Sequence, residues 1–166
     1  MDGAPGVDEK AEGRGQHGAL LPGAIAMRTI LMAYRGTEHD KRVLRWMCRF
    51  AKQTRSNLRL VYVLVVGFSH EVDAPEPPGA REAEQILLEA EHIAETEGVP
   101  VAADLVQARD AGIGLVSEAE ELEADLLVMT DHRHLIPMEN PLGLGTVAYV
   151  LKHAPCPVVV YYEPIQ

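Results

Sequence analysis

The chain has 166 residues and a formal net charge of −10, with 15 lysine and arginine residues against 25 aspartate and glutamate residues. The length fits one domain of ordinary size, and a composition of 47% hydrophobic and 24% charged residues is typical of a globular protein. The acidic charge argues against binding to nucleic acid or to anionic lipid, and no apolar run approaches the roughly 20 residues that a membrane helix needs.

The first 26 residues differ in composition from the rest of the chain. They contain six of the chain's 14 glycines and show neither helical nor strand periodicity. Such a segment buries too little apolar surface to offset the entropy that is lost on ordering. We therefore predict a flexible glycine-rich tail over residues 1–26 and a single domain over residues 27–166.

From Met27 onward, short apolar runs alternate with segments of helical periodicity. The apolar runs predict five strands, at residues 28–33, 58–66, 99–106, 125–129 and 157–162. Thr37 and Asp40 have the spacing of a capping box and predict the start of the first helix. Apolar spacings of three and four predict a second helix that ends at Gly98, a third with Ile113 on its core face, and a fourth over residues 146–153.

This alternation predicts the fold. The strands are apolar throughout, which indicates burial on both faces of a parallel sheet. We expect an α/β three-layer sandwich with a five-stranded parallel sheet, of Rossmann-like architecture. In such sheets, ligands bind beyond the carboxyl ends of the strands, at the point where the strand order reverses.

A Gly-x-Gly-Thr turn precedes the last helix. Gly143 and Gly145 allow a close approach of backbone amides to a ligand, and Thr146 has the side chain of a helix cap. Free amides at a helix start can bind an anion. The same glycines can also serve only to shape a loop, and this motif alone does not decide between the two interpretations.

Three segments, ILMAYRGTEH, ADLLVMT and LGTVAYVLKHAPCPVVV, resemble the universal stress protein family. The resemblance covers the chain from Met27 to about Tyr162. It implies a strand order of 3-2-1-4-5, with the reversal between the first and fourth strands. Family members bind ATP or AMP at that point, or have lost the binding, and they commonly dimerise.

The nucleotide-binding motif of the family is altered here. Nucleotide-binding members carry an Asp at the end of the first strand, where this chain has Arg35. They also carry a Gly-x-x-Gly motif, which is followed after nine intervening residues by Gly-Ser or Gly-Thr. The early glycines correspond to Thr130 and Arg133, and the late pair is either Gly143-Leu144 or Gly145-Thr146. The resemblance therefore implies weak, altered or lost adenine-nucleotide binding, with ATP or AMP as the candidate ligand.

Two outcomes follow for the arginines. Arg35 and Arg133 either project into the site and hold a phosphate or another anion, or Arg35 pairs with a neighbour such as Asp131 and closes the pocket. The candidate residues for binding a nucleotide or an anion, taken from the resemblance and the Gly-Thr turn, are Ala33, Tyr34, Arg35, Val63, Met129, Thr130, His132, Arg133, Gly143, Gly145, Thr146 and Val147.

No metal site is expected. Asp131, His132 and His134 are potential ligands that lie close in sequence, but Arg133 between them repels cations and no fourth ligand is evident. No catalytic constellation is apparent either. We predict a stress-response or regulatory binding protein; the alternatives are a slow ATP-hydrolysing protein and an interaction module for a transporter or a kinase.

The sequence also suggests an assembly and a location. By family topology, the last strand, from Val158 to Tyr162, lies at the edge of the sheet, and an exposed apolar edge needs covering. We expect a homodimer through this strand. Cys48 and Cys156 do not form a disulfide framework, which is typical of reduced thiols in a cytoplasmic protein.

Overall fold

The computed structural model describes residues 27–71, 75–132 and 144–163. The predicted tail, Arg133 and Gly143 lie outside these residues. The elements in chain order are β1 (Thr29–Ala33), α1 (Glu38–Thr54), β2 (Asn57–Val65), α2 (Ala80–Thr96), β3 (Ala102–Ala108), α3 (Ala111–Glu121), β4 (Leu126–His132), α4 (Leu144–His153) and β5 (Val158–Glu163).

The five strands form one parallel sheet in the order β3-β2-β1-β4-β5. Met32 in the central strand pairs with Leu60 of β2 on one side and with Val128 of β4 on the other. The predicted α/β sandwich and its strand order are therefore confirmed. The order reverses between β1 and β4, because the chain first builds outward to β3 and then returns to the other side of β1.

Each face of the sheet carries its own apolar core. Met32 and Leu60 pack with α1 and α2 on one face, while Leu31 and Leu127 pack with α3 and α4 on the other. Successive strand residues point to opposite faces, so an uninterrupted apolar strand supplies both cores. Burying each leucine of this kind contributes about 1.5–3 kcal/mol to folding.

The start of helix α1 has the predicted capping box. The Thr37 side chain accepts a hydrogen bond from the Asp40 backbone N–H at 3.1 Å, and the Asp40 carboxylate accepts one from the Thr37 N–H at 3.0 Å. The box is confirmed, and it fixes the turn that leads from β1 into the helix.

Several boundaries and one helix face differ from the sequence prediction, among them the end of β4, which lies at His132 rather than at Met129. Strand β3 begins at Ala102 rather than at Val99, because the Val99 N–H bonds to the Ala94 carbonyl and completes the end of α2. Helix α4 begins at Leu144, two residues before the predicted start. Ile113 was predicted on the core face of α3 but is 49% exposed, because the buried face of the helix runs along Ala111, Leu115 and Ala119, and Ile113 lies outside it.

Candidate functional site

A crevice lies at the carboxyl ends of the two strands between which the order reverses. Its walls come from the ends of β1, β2 and β4 and from the first turns of α3. Six of the predicted candidates line it, namely Ala33, Tyr34, Arg35, Val63, Met129 and Thr130. The cavity volume is about 30 Å³, which is room for about two water molecules. The structure thus brings half of the candidate set together, while their role in binding stays a prediction.

The walls of the crevice are apolar, and its charge comes from one side chain. Val61, Leu115 and Met129 are buried in the core that α3 and α4 cover. Arg35 is half-buried and is the one charged side chain among the described lining residues. Such a site offers dispersion contacts to an apolar part of a ligand and a guanidinium to an anionic part.

A buried carboxylate fixes the rim of the crevice. Asp40 is fully buried and accepts hydrogen bonds at 3.0 Å from the backbone N–H groups of Arg35 and Thr37. Its other oxygen accepts a hydrogen bond from the hydroxyl of Thr130. Asp40 therefore joins the end of β1, the start of α1 and the end of β4. Because the Thr130 hydroxyl donates a hydrogen bond to Asp40, this hydroxyl is not a free donor for a ligand in this conformation.

Tyr34 belongs both to the crevice and to the core. Its side chain is 1% exposed and packs with the cluster under α1 and α2. Burial raises the pKa of the Tyr34 phenol above its usual range, and the nearby Asp40 carboxylate adds to the effect. Within the described part of the chain, the phenol oxygen has no hydrogen-bond partner. The phenol therefore stays neutral near neutral pH.

The turn after Tyr34 depends on a glycine. Gly36 has a φ of +83°, a left-handed conformation that residues with a side chain rarely adopt. A Cβ atom built there would lie 2.7 Å from the Cγ2 atom of Ile86 on α2. The turn can therefore carry Arg35 to the crevice and still pass beneath α2.

The candidates from the Gly-Thr turn lie elsewhere. Gly145, Thr146 and Val147 belong to the first turns of α4, and they are not among the described residues that line the crevice. Thr146 is 7% exposed and lies inside the helix, so the predicted helix cap at this position is wrong. His132 ends strand β4, in register with Glu163 of β5.

The sequence prediction missed four residues of the site. Val61, Ala111 and Leu115 line the crevice, and Asp40 holds its rim. Val61 could have been inferred from Val63, because residues two apart in a strand share a face. The role of Asp40 was visible only as a helix-capping signal, since Thr130 is 90 residues away in sequence.

The described residues also bear on the requirements of a metal site and of a membrane-spanning helix. In that part of the chain, no group of three or more histidine, cysteine, aspartate or glutamate side chains could hold a metal ion. None of the helices described there is long and apolar enough to cross a membrane. The neighbourhood of His134 and Arg133 lies outside the described ranges.

A parallel α/β sandwich with a crevice at its strand-order reversal defines a broad class of ligand-binding proteins. Within that class, residues 27–161 match the model of the universal stress protein family. The chain belongs to the universal stress protein family.

Solved structures show the same fold. A universal stress protein in complex with cAMP is 21% identical, with a TM-score of 0.63 over 83% of this chain and 98% of that chain. The universal stress protein from Archaeoglobus fulgidus in complex with dAMP is 20% identical, with a TM-score of 0.62 over 81% and 96%. A family member from Arabidopsis thaliana with AMP bound is 21% identical, with a TM-score of 0.57 over 82% and 91%. No curated protein matches the chain.

Proposed function

We propose that this chain is a stress-response or regulatory binding protein whose crevice binds adenine nucleotides weakly. The solved relatives that hold cAMP, dAMP and AMP support adenine nucleotides as the ligand class. The altered motif supports a weaker interaction than a nucleotide-binding member would have. The observation that carries the proposal is the position of Arg35, the one charged residue among the described residues that line a narrow crevice.

Two physical effects weaken nucleotide binding at this site. The cavity of about 30 Å³ is far smaller than the roughly 300–1,000 Å³ of a typical small-molecule site, so side chains must move before a purine enters. The Thr130 hydroxyl already bonds to Asp40, so a ligand must compete for it. Arg35 acts in the opposite direction for anions, because a guanidinium forms charge-assisted hydrogen bonds with a phosphate.

Calorimetric titration with ATP and AMP tests the proposal. We expect dissociation constants weaker than about 100 μM for the wild-type chain. Arg35→Asp places an acid at the position where nucleotide-binding members carry one, and it should tighten AMP binding by about tenfold. Arg81→Ala is the matched control, because Arg81 is an exposed arginine whose described partner is Glu76 in the adjoining loop. A low-micromolar affinity of the wild type would contradict the proposal, whereas no gain in Arg35→Asp would mean that Arg35 holds the phosphate instead of obstructing the nucleotide.

The same titration with inorganic phosphate separates the two roles of Arg35. If Arg35 holds an anion, phosphate binds to the wild type and Arg35→Ala loses that binding. If Arg35 instead closes the crevice, Arg35→Ala should bind AMP more tightly than the wild type and neither protein should bind phosphate. Both results are consistent with weak nucleotide binding. They distinguish an arginine that holds an anion from one that closes the crevice.

We also propose a homodimer through the edge strand β5. Val159 and Tyr162 are 48% and 51% exposed on this strand. Trp46 of α1 is 63% exposed, and its ring meets Tyr161 edge-on with centroids 5.8 Å apart. Arg42 and His39 bond to Glu163, which attaches the end of β5 to α1. An apolar edge of this kind, held in place by a helix, supports pairing with a second copy.

A cytoplasmic location completes the proposal. Cys48 is buried and Cys156 is partly buried, and both are free thiols. Free thiols persist in a reducing compartment, which supports the cytoplasm. Fractionation of cells that express the natural chain, with a compartment marker for each fraction, would test this location.

A further inference from the structure

The opposite edge of the sheet carries a groove that the crevice and the β5 dimer do not use. Strand β3 is the other edge strand, and within the described residues it pairs only with β2. Its outer row of backbone N–H and C=O groups is therefore without a neighbouring strand in that part of the chain. An open edge of this kind can accept an added strand from a partner.

Apolar side chains line the space between this edge and α2. Ala103 and Leu105 of β3 face Leu87 and Leu88 of α2 across a cavity of about 310 Å³. Leu88 is 56% exposed. The cavity continues past Leu88 toward Val101 as a second space of about 440 Å³. We call the two together the α2–β3 groove.

The rim of the α2–β3 groove is acidic. Glu84 and Glu91 line the first space, and Glu91 and Glu95 line the second. Among the described ion pairs, none joins Glu84 or Glu91 to a basic residue, and Glu95 approaches only His92, at 3.8 Å. The groove therefore presents carboxylates whose charge no described lysine or arginine offsets.

On the side of α2 that faces α1, in contrast to the groove, carboxylates pair with basic residues. There, Glu89 pairs with Lys41 of α1 at 2.9 Å, and Glu97 pairs with Arg49 at 3.5 Å. Basic residues of α1 thus offset the carboxylates on the side of α2 that faces α1. Among the residues that the structure describes, no lysine or arginine pairs with the carboxylates along the groove, and a partner with basic side chains would supply that counter-charge.

We propose that the α2–β3 groove binds an extended, lysine- or arginine-rich segment of a partner protein, which adds to β3 as a further strand. Backbone hydrogen bonds to β3 hold the segment in register. The aliphatic stems of its basic side chains cover Leu88 and Leu105, while their charged ends reach Glu84, Glu91 and Glu95. Seven residues of β3 at about 3.3 Å each give an edge of about 23 Å. That length suits a segment of seven to ten residues.

A ten-residue peptide of alternating lysine and valine is the probe. Fluorescence anisotropy with the full chain should show saturable binding that weakens as salt is raised. A peptide with glutamate in place of lysine should not bind. The same lysine peptide, N-methylated at alternate backbone nitrogens, should bind at least about tenfold more weakly, because it cannot form one side of a strand ladder.

Charge-matched variants locate the site. The triple variant Glu84→Gln, Glu91→Gln, Glu95→Gln should lose at least about tenfold in affinity. The control Glu120→Gln, Glu121→Gln, Glu123→Gln makes the same change in net charge at exposed residues at the end of α3 and beyond it, and should stay within about twofold. Amide chemical shifts in the complex should change along Ala102–Ala108.

Several results would overturn the proposal. Equal binding of the N-methylated peptide would show a general acidic surface rather than strand addition. Equal losses in both triple variants, shift changes confined to β5, or no binding at 1 mM peptide would each exclude the groove as the site. Self-association that Leu88→Glu abolishes, without peptide binding, would assign the groove to a second copy of the chain instead.

Discussion

Asp40 illustrates how one buried side chain determines the form of the site. Its two oxygens accept hydrogen bonds from Arg35, Thr37 and Thr130, which belong to three different parts of the fold. The carboxylate also lies in the first turn of α1, where the helix dipole favours a negative charge. The rim of the crevice is therefore held by a group that does not line the crevice.

Replacement of Asp40 tests this role at the residue scale. Asp40→Asn retains the shape but removes one acceptor and the charge, so we expect a loss of about 1–3 kcal/mol in the free energy of unfolding. Urea denaturation measures it. Glu38→Gln, in the same turn with a side chain that is 79% exposed, is the control and should change stability by less than about 0.5 kcal/mol. Equal effects of the two variants would mean that the buried network contributes nothing.

Cys48 gives a prediction about pH. Burial raises the pKa of its thiol to about 11, from an ordinary value of 9.0, with a smaller contribution from Glu97. Between about pH 9 and pH 11 the unfolded chain releases this proton while the folded chain keeps it. The contribution of this thiol to stability is therefore complete below pH 9 and is lost as the pH rises toward 11.

Thermal unfolding at a series of pH values checks this prediction. The melting temperature of the wild type should fall more steeply from pH 9 to pH 11 than that of Cys48→Ala. The comparison is made in a Cys156→Ala background for both proteins, because burial also raises the pKa of the Cys156 thiol. Parallel curves for the two proteins would contradict the expected protonation of Cys48.

At the scale of elements, α3 shows how a helix reaches the crevice. Gly114 lets the helix lie close to the sheet, since a Cβ atom there would be 2.7 Å from the Val63 Cγ1 atom and 3.0 Å from the Ala108 Cβ atom. This close packing brings Ala111 and Leu115 to the crevice wall. The same packing turns the larger Ile113 toward solvent.

Two glycine-to-alanine changes separate packing from helix propensity. Gly114→Ala should destabilise the fold by about 1–3 kcal/mol, because the methyl group overpacks the contact with β2 and β3. Gly145→Ala in α4 is the matched control. Among the described residues beyond its chain neighbours and the nearby helix backbone, no atom lies within 4 Å of a Cβ built at Gly145, so the substitution should stabilise the protein by up to about 1 kcal/mol. Denaturant titration measures both, and a stabilising Gly114→Ala would show that α3 can move away from the sheet.

At the scale of the whole molecule, the two edges of the sheet have different surroundings. Strand β5 is flanked by exposed apolar side chains and by Trp46, whereas β3 borders an acidic groove. Two copies that meet at β5 bury apolar surface without bringing like charges of the groove together. The acidic edge then remains accessible for a basic partner, and the two proposals do not compete for one surface.

Sedimentation analysis tests the dimer at this scale. Val159→Glu places a charge on the proposed interface and should convert a micromolar dimer to a monomer. Leu88→Glu is the control, because Leu88 is 56% exposed on α2 at the opposite edge and should leave the dimer intact. A monomeric wild type would contradict the dimer, and dissociation by Leu88→Glu alone would move the interface to the other edge.

The architecture could be predicted from the sequence, because local signals specify it. Apolar strands such as residues 58–66 and the capping box of Thr37 and Asp40 are patterns within a few residues, and they predicted the elements and the parallel sheet. The resemblance added the strand order. Tertiary packing determines that the Val99 N–H bonds back to the end of α2 instead of starting a strand, since an apolar residue suits either place.

The residues of the site also form two groups: those that could be named from the sequence and those that could not. Ala33, Arg35 and Thr130 could be named as candidates from the resemblance, and they lie at or just beyond the carboxyl ends of strands that meet at one edge of the sheet. Leu115 and the bond from Thr130 to Asp40 could not, because they depend on how closely a helix packs and on contacts between residues far apart in the chain. The tertiary structure alone brings such residues together.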